Sequence, residues 1–189
     1  MAKIGLRNFY YSVATEDSTT GALSYNGATK PGKAISVNFE PNTSDATLYA
    51  DDAIAERDTS VNGGTLTIGI DRFDATTASA LLGHSVTTDI ETSNTDDIAP
   101  KVGIAYIVPL LVNSERKYRV SFYPAVTFQE PTESADTKGE TVEFGTYELE
   151  GTVMPDATGN YRKRQTFDSV AAADAWIATL LADATPESE

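Results

Sequence analysis

Residues 102–128, VGIAYIVPLLVNSERKYRVSFYPAVTF, leave this chain few folds to choose from. In the first arm Val102, Ile104, Tyr106, Val108, Leu110 and Val112 alternate with Gly103, Ala105, Ile107, Pro109 and Leu111. Period-two spacing predicts a strand, and apolar residues at both phases require cover on both faces. That cover comes either from two layers of the same chain or from a core and a neighbouring subunit. Asn113-Ser114-Glu115-Arg116 reads as the turn. In the second arm Tyr118, Val120, Phe122, Val126 and Phe128 alternate with Lys117, Arg119, Ser121, Tyr123 and Thr127, which predicts a half-buried strand with one solvated face. The two arms form a hairpin. Pro109 and Pro124 lack the N–H that a central ladder needs, so each predicts a sheet edge, a bulge or a bend.

The rest of the chain supplies partners for this hairpin. Residues 8–14, 22–25 and Ala34–Pro41 read as strands, the last with Ile35, Val37 and Phe39 on one side. Residues 40–64 are polar, acidic and rich in turn formers, and read as a long excursion with some strand character. Gly64–Phe73 is a strand with Leu66, Ile68 and Ile70 facing a core. Asp74 caps a short helix over 75–82 that ends at Gly83 and packs through Ala78, Leu81 and Leu82. A strand over 84–90 and an acidic loop over 91–100 precede the central hairpin. A polar loop over 129–140 leads to one or two strands within 141–154. Asp168 begins an amphipathic helix with a stripe of Val170, Ala173, Ile177, Leu180, Leu181 and Ala184, and with Trp176 beside it as a packing anchor. The order predicts an α+β, mainly β fold: an antiparallel β-sandwich or partly closed barrel with one short helix and a C-terminal amphipathic helix. We read a single domain over 1–184 and a frayed acidic tail over 185–189.

Charge and composition exclude several functions. Fourteen Lys and Arg against 28 Asp and Glu give a net charge of −14, the wrong sign for a surface that grips phosphates. The chain has no cysteine, so disulfides and thiolate metal sites are excluded. Its first residues lack the apolar core of a signal peptide, and no stretch is long and apolar enough to span a membrane, so we expect a cytoplasmic protein without a membrane partner.

No motif reads as a catalytic constellation. Gly27 to Ala34, GATKPGKA, has the Gly and Lys spacing of a phosphate-binding loop, but Ala34 stands where a Ser or Thr is required and a strand follows instead of a helix. His84, the single histidine, reads as a residue at a helix C-terminus rather than as the partner of Ser85. Asp51/Asp52 and Asp96/Asp97 lack a calcium-loop pattern and read as solvated loop charge. The sequon Asn42-Thr43-Ser44 has no signal peptide to make it meaningful. Arg162-Lys163-Arg164 is the one dense basic run, too small for nucleic acid and suited to an acidic neighbour. We therefore expect no enzyme.

A pattern in the second half points further. It runs through Tyr118, Phe122, Pro124, Val126 and Phe128-Gln129-Glu130-Pro131, then Glu133 to Phe144 (ESADTKGETVEF), Leu149-Glu150-Gly151-Thr152, Gly159-Asn160-Tyr161 and the final helix with Trp176. With the opening GLRNFYYS and the Gly/Lys loop, it resembles the major tail proteins of long, flexible-tailed bacteriophages, the tail tube subunits. The resemblance covers most of the chain, best from 100 to 178. It implies a β-sandwich with a flanking helix, assembly into typically hexameric rings that stack into a hollow tube, and passage of DNA without specific binding. It implies no catalysis and no cofactor. Partners would be further copies of the chain, the tail tip or distal tail proteins, the terminator and the tape measure; the location would be the virion tail after assembly in the host cytoplasm. On this reading the loops at 40–62, 86–100 and 129–141 reach neighbouring subunits, with Leu48, Tyr49, Ile54, Ile98, Glu130 and Lys138 as contact candidates. Asp51, Asp52, Asp71 and Glu115 are candidates for an acidic bore that repels phosphate. The competing readings are a tube subunit of a contractile secretion device and a β-sandwich binding module for carbohydrate or protein. The module would need an exposed platform from Tyr10, Tyr11, Tyr25 and Tyr49.

Overall fold

The computed structural model describes residues 2–50, 53–88, 90–133 and 146–182, with the backbone alone over 46–50 and 53–58. In chain order the elements are β1 (Ala2–Lys3), β2 (Arg7–Glu16), β3 (Leu23–Tyr25), β4 (Ala34–Ala50), β5 (Ala53–Ile70), α1 (Ala75–Leu82), β6 (Ser85–Thr87), β7 (Ile90–Thr92), β8 (Val102–Val112), β9 (Glu115–Phe128), β10 (Tyr147–Met154), β11 (Lys163–Phe167) and α2 (Val170–Leu180). Strands dominate, every pairing is antiparallel, and the sheet does not close into a barrel. The main sheet runs β3-β2-β8-β9-β10-β5-β4, with β1 added to β8 and β11 to β9; β6 and β7 pair separately.

The β8–β9 hairpin is the middle of this sheet. Its turn is tighter than the four residues read from the sequence. Asn113 and Ser114 alone take positive φ (50° and 67°), and Glu115 already pairs with Val112. A two-residue turn of this hand matches the twist of the flanking strands. Both faces of β8 are covered within the chain. Val102, Ile104 and Tyr106 enter one core with Leu66, Ile68, Ile70, Leu81 and Leu149 from β5, α1 and β10. Ala105 and Ile107 enter a second core with Ala173, Ile177 and Leu181, under α2. The apolar strand therefore finds both of its layers without a neighbouring subunit.

The expected solvated face of β9 is not there: residues 120–126 are all buried, Ser121 and Tyr123 included. The reason is a bulge. Val102 pairs with Val126 and Ile104 with Tyr123, so Pro124 and Ala125 together face Gly103. An extra residue reverses the side-chain phase, and Tyr123 and Val126 end up in the same core. Pro124 sits where a ladder N–H is not required, and its carbonyl accepts the Tyr25 hydroxyl at 2.8 Å. The Tyr25 ring has room because Gly103 has no side chain; a Cβ there would lie 2.6 Å from Tyr25 Cε1 and 3.0 Å from Leu181 Cδ2.

Helix α1 is capped as its sequence indicates, and α2 one residue later than expected. Asp74 accepts from Thr77 N at 2.8 Å, and Gly83 closes α1 with φ 84°. Ser169, rather than Asp168, caps α2 by accepting from Ala172 N at 3.2 Å. Asp174 ties α2 to β2 by accepting from Asn8 Nδ2 and the Tyr10 hydroxyl, both at 3.0 Å. Asn8 itself sits at a β2 bulge with φ 46°.

Two other expectations are corrected. Residues 40–64 are not an irregular excursion: β4 and β5 continue through them as a paired ribbon from Thr43–Val61 to Ala50–Ala53. Residues 163–167, read only as part of a basic run, form an edge strand on β9.

Substituting Gly103 tests the packing of Tyr25 and Leu181 against β8. Gly103→Ala should lower stability by about 1–3 kcal/mol through overpacking. In urea unfolding the midpoint should fall with an unchanged slope.

Candidate assembly surfaces

The β4–β5 ribbon leaves the body at a definable point. β10 pairs with β5 only as far as Gly64, opposite Val153. The next residue, Gly63, has φ 100°, and a Cβ on it would lie 2.1 Å from the Val153 carbonyl oxygen. The register of β4 against β5 shifts here, between Pro41 and Thr43. Beyond it, β4 and β5 pair only with each other, and residues 41–45 and 59–62 are exposed. Eight further residues on β4 carry the arm about 26 Å past the body at ~3.3 Å each. A two-stranded ribbon in water is marginal by itself.

A second surface surrounds His84. The ring follows the α1 cap and is buried, yet both nitrogens meet carboxylates: Nδ1 lies 2.7 Å from Glu91 Oε1 and Nε2 lies 3.1 Å from Glu130 Oε2. Ser93 Oγ stands 3.4 Å from Nδ1. The Glu91 hydrogen bond, reinforced by Glu130 and opposed by burial, holds the imidazole above its usual range. When protonated, the ring donates to both acids and ties the end of α1 to β7 and the segment after β9. The carboxylates occupy opposite sides of the ring, and among the described residues no cluster of three or more His, Asp or Glu forms a metal site. Close in sequence to this node are the exposed apolar side chains Val86, Ile90 and Ile98, the last 85% exposed. The loop carrying Ile98 is held against α1, since its carbonyl leaves no space for a Cβ on Gly83.

The residues singled out in the sequence fall into separate places. Leu48, Tyr49 and Ile54 belong to the arm, where the backbone alone is described. Asp51, Asp52 and Lys138 lie outside the described residues. Ile98 is free on the surface, whereas Glu130, though two-thirds exposed, is engaged by His84. Asp71 accepts from Lys33 N at 2.7 Å and braces the entry to β4. Glu115 sits at the β8–β9 turn, 3.3 Å from Lys117 Nζ, which also binds Asp168 at 2.7 Å. The Gly27–Ala34 segment is a loop that runs into β4, with Thr29 bridged to Tyr11. Trp176 packs on Phe167, ring centres 5.6 Å apart. Tyr11 and Tyr25 are buried and Tyr10 is tied to Asp174, so these three form no exposed aromatic platform.

The basic run divides as strand geometry requires. Lys163 lines a groove with Tyr25, Phe122 and Leu180 beside α2. Arg162 and Arg164 face the other side, near Tyr106 and Phe39. The sequence signal was the run itself; the side-chain direction needed the unrecognised strand β11.

The His84 node gives a pH prediction. Its folded-state pKa is raised, so its stabilisation is complete below the unfolded value of about 6.5 and is lost as pH rises through the folded value. Glu91→Gln should therefore cost about 1 kcal/mol at pH 6 and less at pH 9. Thermal melts of wild type, Glu91→Gln and His84→Gln across that range check this; parallel pH profiles for all three would contradict it. No protein-family model matches this chain, and no curated protein matches its sequence.

Proposed function

We propose that this chain is a structural, self-assembling subunit of a bacteriophage tail tube, working without catalysis or cofactor. The observation that carries the reading is the arm. A chain that extends a paired ribbon beyond its own core, exposed over 41–45 and 59–62, has a surface suited to a second molecule. The sequence pattern from Tyr118 to Trp176 supports the same reading, as do the exposed apolar side chains Val86, Ile90 and Ile98. In this reading the partners are identical copies arranged in stacked rings, together with the tail tip, terminator and tape measure proteins, and the site of action is the virion tail.

The acidic balance suits a conduit. A wall of like charge gives passing DNA no counterion-release gain, so the duplex slides instead of sticking. Glu115 at the exposed β8–β9 turn is the described candidate for that wall; Asp51 and Asp52 lie outside the described residues. Asp71 is less suited, because its carboxylate is already occupied by the Lys33 backbone.

Electron microscopy of the purified protein over a concentration series tests this. Hollow tubes of stacked rings are the expected product, and tail-tip complexes should seed them where spontaneous nucleation is slow. A chain that stays monomeric even with seeds would overturn the reading. Replacing residues 43–61 with a two-residue Asn-Gly turn should leave a folded body, because β10 pairs with β5 only over 64–70, and should abolish tubes. Retained tubes in that variant would remove the arm from the argument.

A further inference from the structure

Beside the point where β4 and β5 leave the body, two adjoining hollows of about 300 and 130 Å³ share Lys3, Val37, Tyr106 and Arg164. Arg162 completes the first and Arg119 the second. The strand register explains the convergence. Arg164 pairs with Ser121, which pairs with Tyr106, so their side chains share one face. Arg119 lies two residues along β9 on that face, and Lys3 is brought beside Leu110 by β1. Arg162 lies over the rings of Phe39 and Tyr161, at 5.3 and 5.4 Å.

Among the described residues no Asp or Glu lines either hollow, and none of the four cations has an ion-pair partner. Arg119 Nε is buried without any hydrogen-bond acceptor. In a chain with twice as many acids as bases, four uncompensated cations around one cleft form a site for an anion. A buried guanidinium N–H without an acceptor is costly, and a carboxylate relieves it with a charge-assisted bond.

We infer that this cleft receives the acidic arm of a second copy of the chain. Residues 43–61 carry five acids (Asp45, Asp51, Asp52, Glu56, Asp58) against one base, Arg57. The arm's own root, Pro41 and Val61, lines the cleft, so its tip lies about 26 Å away at strand spacing. The arm therefore does not reach back into the cleft at its root; a neighbouring copy displaced along the arm direction brings its own tip there. This inference rests on the self-assembly reading and adds the receiving surface and its charge chemistry.

Because the chain lacks cysteine, single-cysteine copies report the contact cleanly. One full-length copy carries Ala53→Cys in the arm, the other Asn38→Cys on the cleft rim, and the control partner carries Thr158→Cys. Under mild oxidation the arm–rim disulfide should exceed the control by about tenfold, the factor that 1.4 kcal/mol of contact energy gives. Arg162→Glu with Arg164→Glu on the rim copy should abolish the excess, and Asp51→Lys with Asp52→Lys on the arm copy should restore it. Far-UV circular dichroism confirms that each variant is folded. No excess over the control overturns the inference, and so does an excess that ignores charge reversal. Added inorganic phosphate should compete the disulfide away; phosphate binding in the cleft with no arm disulfide would make it a free-anion site and overturn the inference. Tubes without the disulfide leave the tube reading standing and remove this contact. The charge-dependent disulfide without tubes, even from seeded samples, keeps the contact and removes the tube.

Discussion

A strand that is apolar at both side-chain phases cannot lie on a surface, and the rest of this structure answers that constraint at β8. One side is closed by β5, β10 and α1, the other by α2. Each cover needs its own fastening. Asp174 draws α2 onto β2, and Tyr25 reaches across Gly103 to the Pro124 carbonyl. The bulge at Pro124 lets β9 serve both cores in turn, Val120 and Phe122 on the α2 side and Tyr123 and Val126 on the other. The division into two cores follows from one strand's composition.

Where burial sets side-chain identity, the sequence was readable. The 102–128 hairpin, the Ala34–Pro41 strand and the α2 stripe as far as Leu181 carry an apolar period and formed, as did the α1 caps; Ile35, expected beside Val37 and Phe39, is exposed because the β4–β5 register shifts between Ala34 and Ser36, and Ala184 lies outside the described residues. The arm shows none: its described residues 41–45 and 59–62 are exposed at both side-chain phases, so nothing there makes them alternate. Its order comes from a backbone ladder, which side-chain patterns do not record. β11 escaped notice for the same reason: Lys163, Arg164, Gln165 and Thr166 are exposed, and the strand exists through its bonds to β9. The solvated face expected for β9 failed because one extra residue at Pro124 reverses the phase, and period-two reading assumes an unbroken phase. Of the candidate surfaces, the sequence named positions such as Ile98 and Glu130 but not the His84 link that occupies Glu130. The convergence of Lys3 and Arg119 with Arg162 and Arg164 depends on register across β1, β8, β9 and β11, which no local window contains.

Charge is distributed unevenly around this framework. Several acids are spent locally: Asp74 on a helix cap, Asp156 on the 156–160 turn, Glu91 and Glu130 on His84. The arm's sequence is acidic, and the bases around the cleft gather at the arm's root, beside Pro41 and Val61. The molecule is thus polar along β4 and β5, an arrangement suited to head-to-tail association between identical copies.

The continuity of β4 and β5 from body to arm has a thermodynamic consequence. The β4 and β5 that pair in the body, where β5 also pairs with β10, continue into the ribbon, across the register shift beside Gly63. Whatever holds the ribbon selects the native body along with it. By mass action, a surface bound only by the folded form raises the free energy of unfolding by RT ln(1 + [L]/Kd), about 4 kcal/mol when the effective concentration exceeds Kd a thousandfold. A subunit of ordinary stability when alone thereby becomes a durable one when held at the arm, without any change to its core.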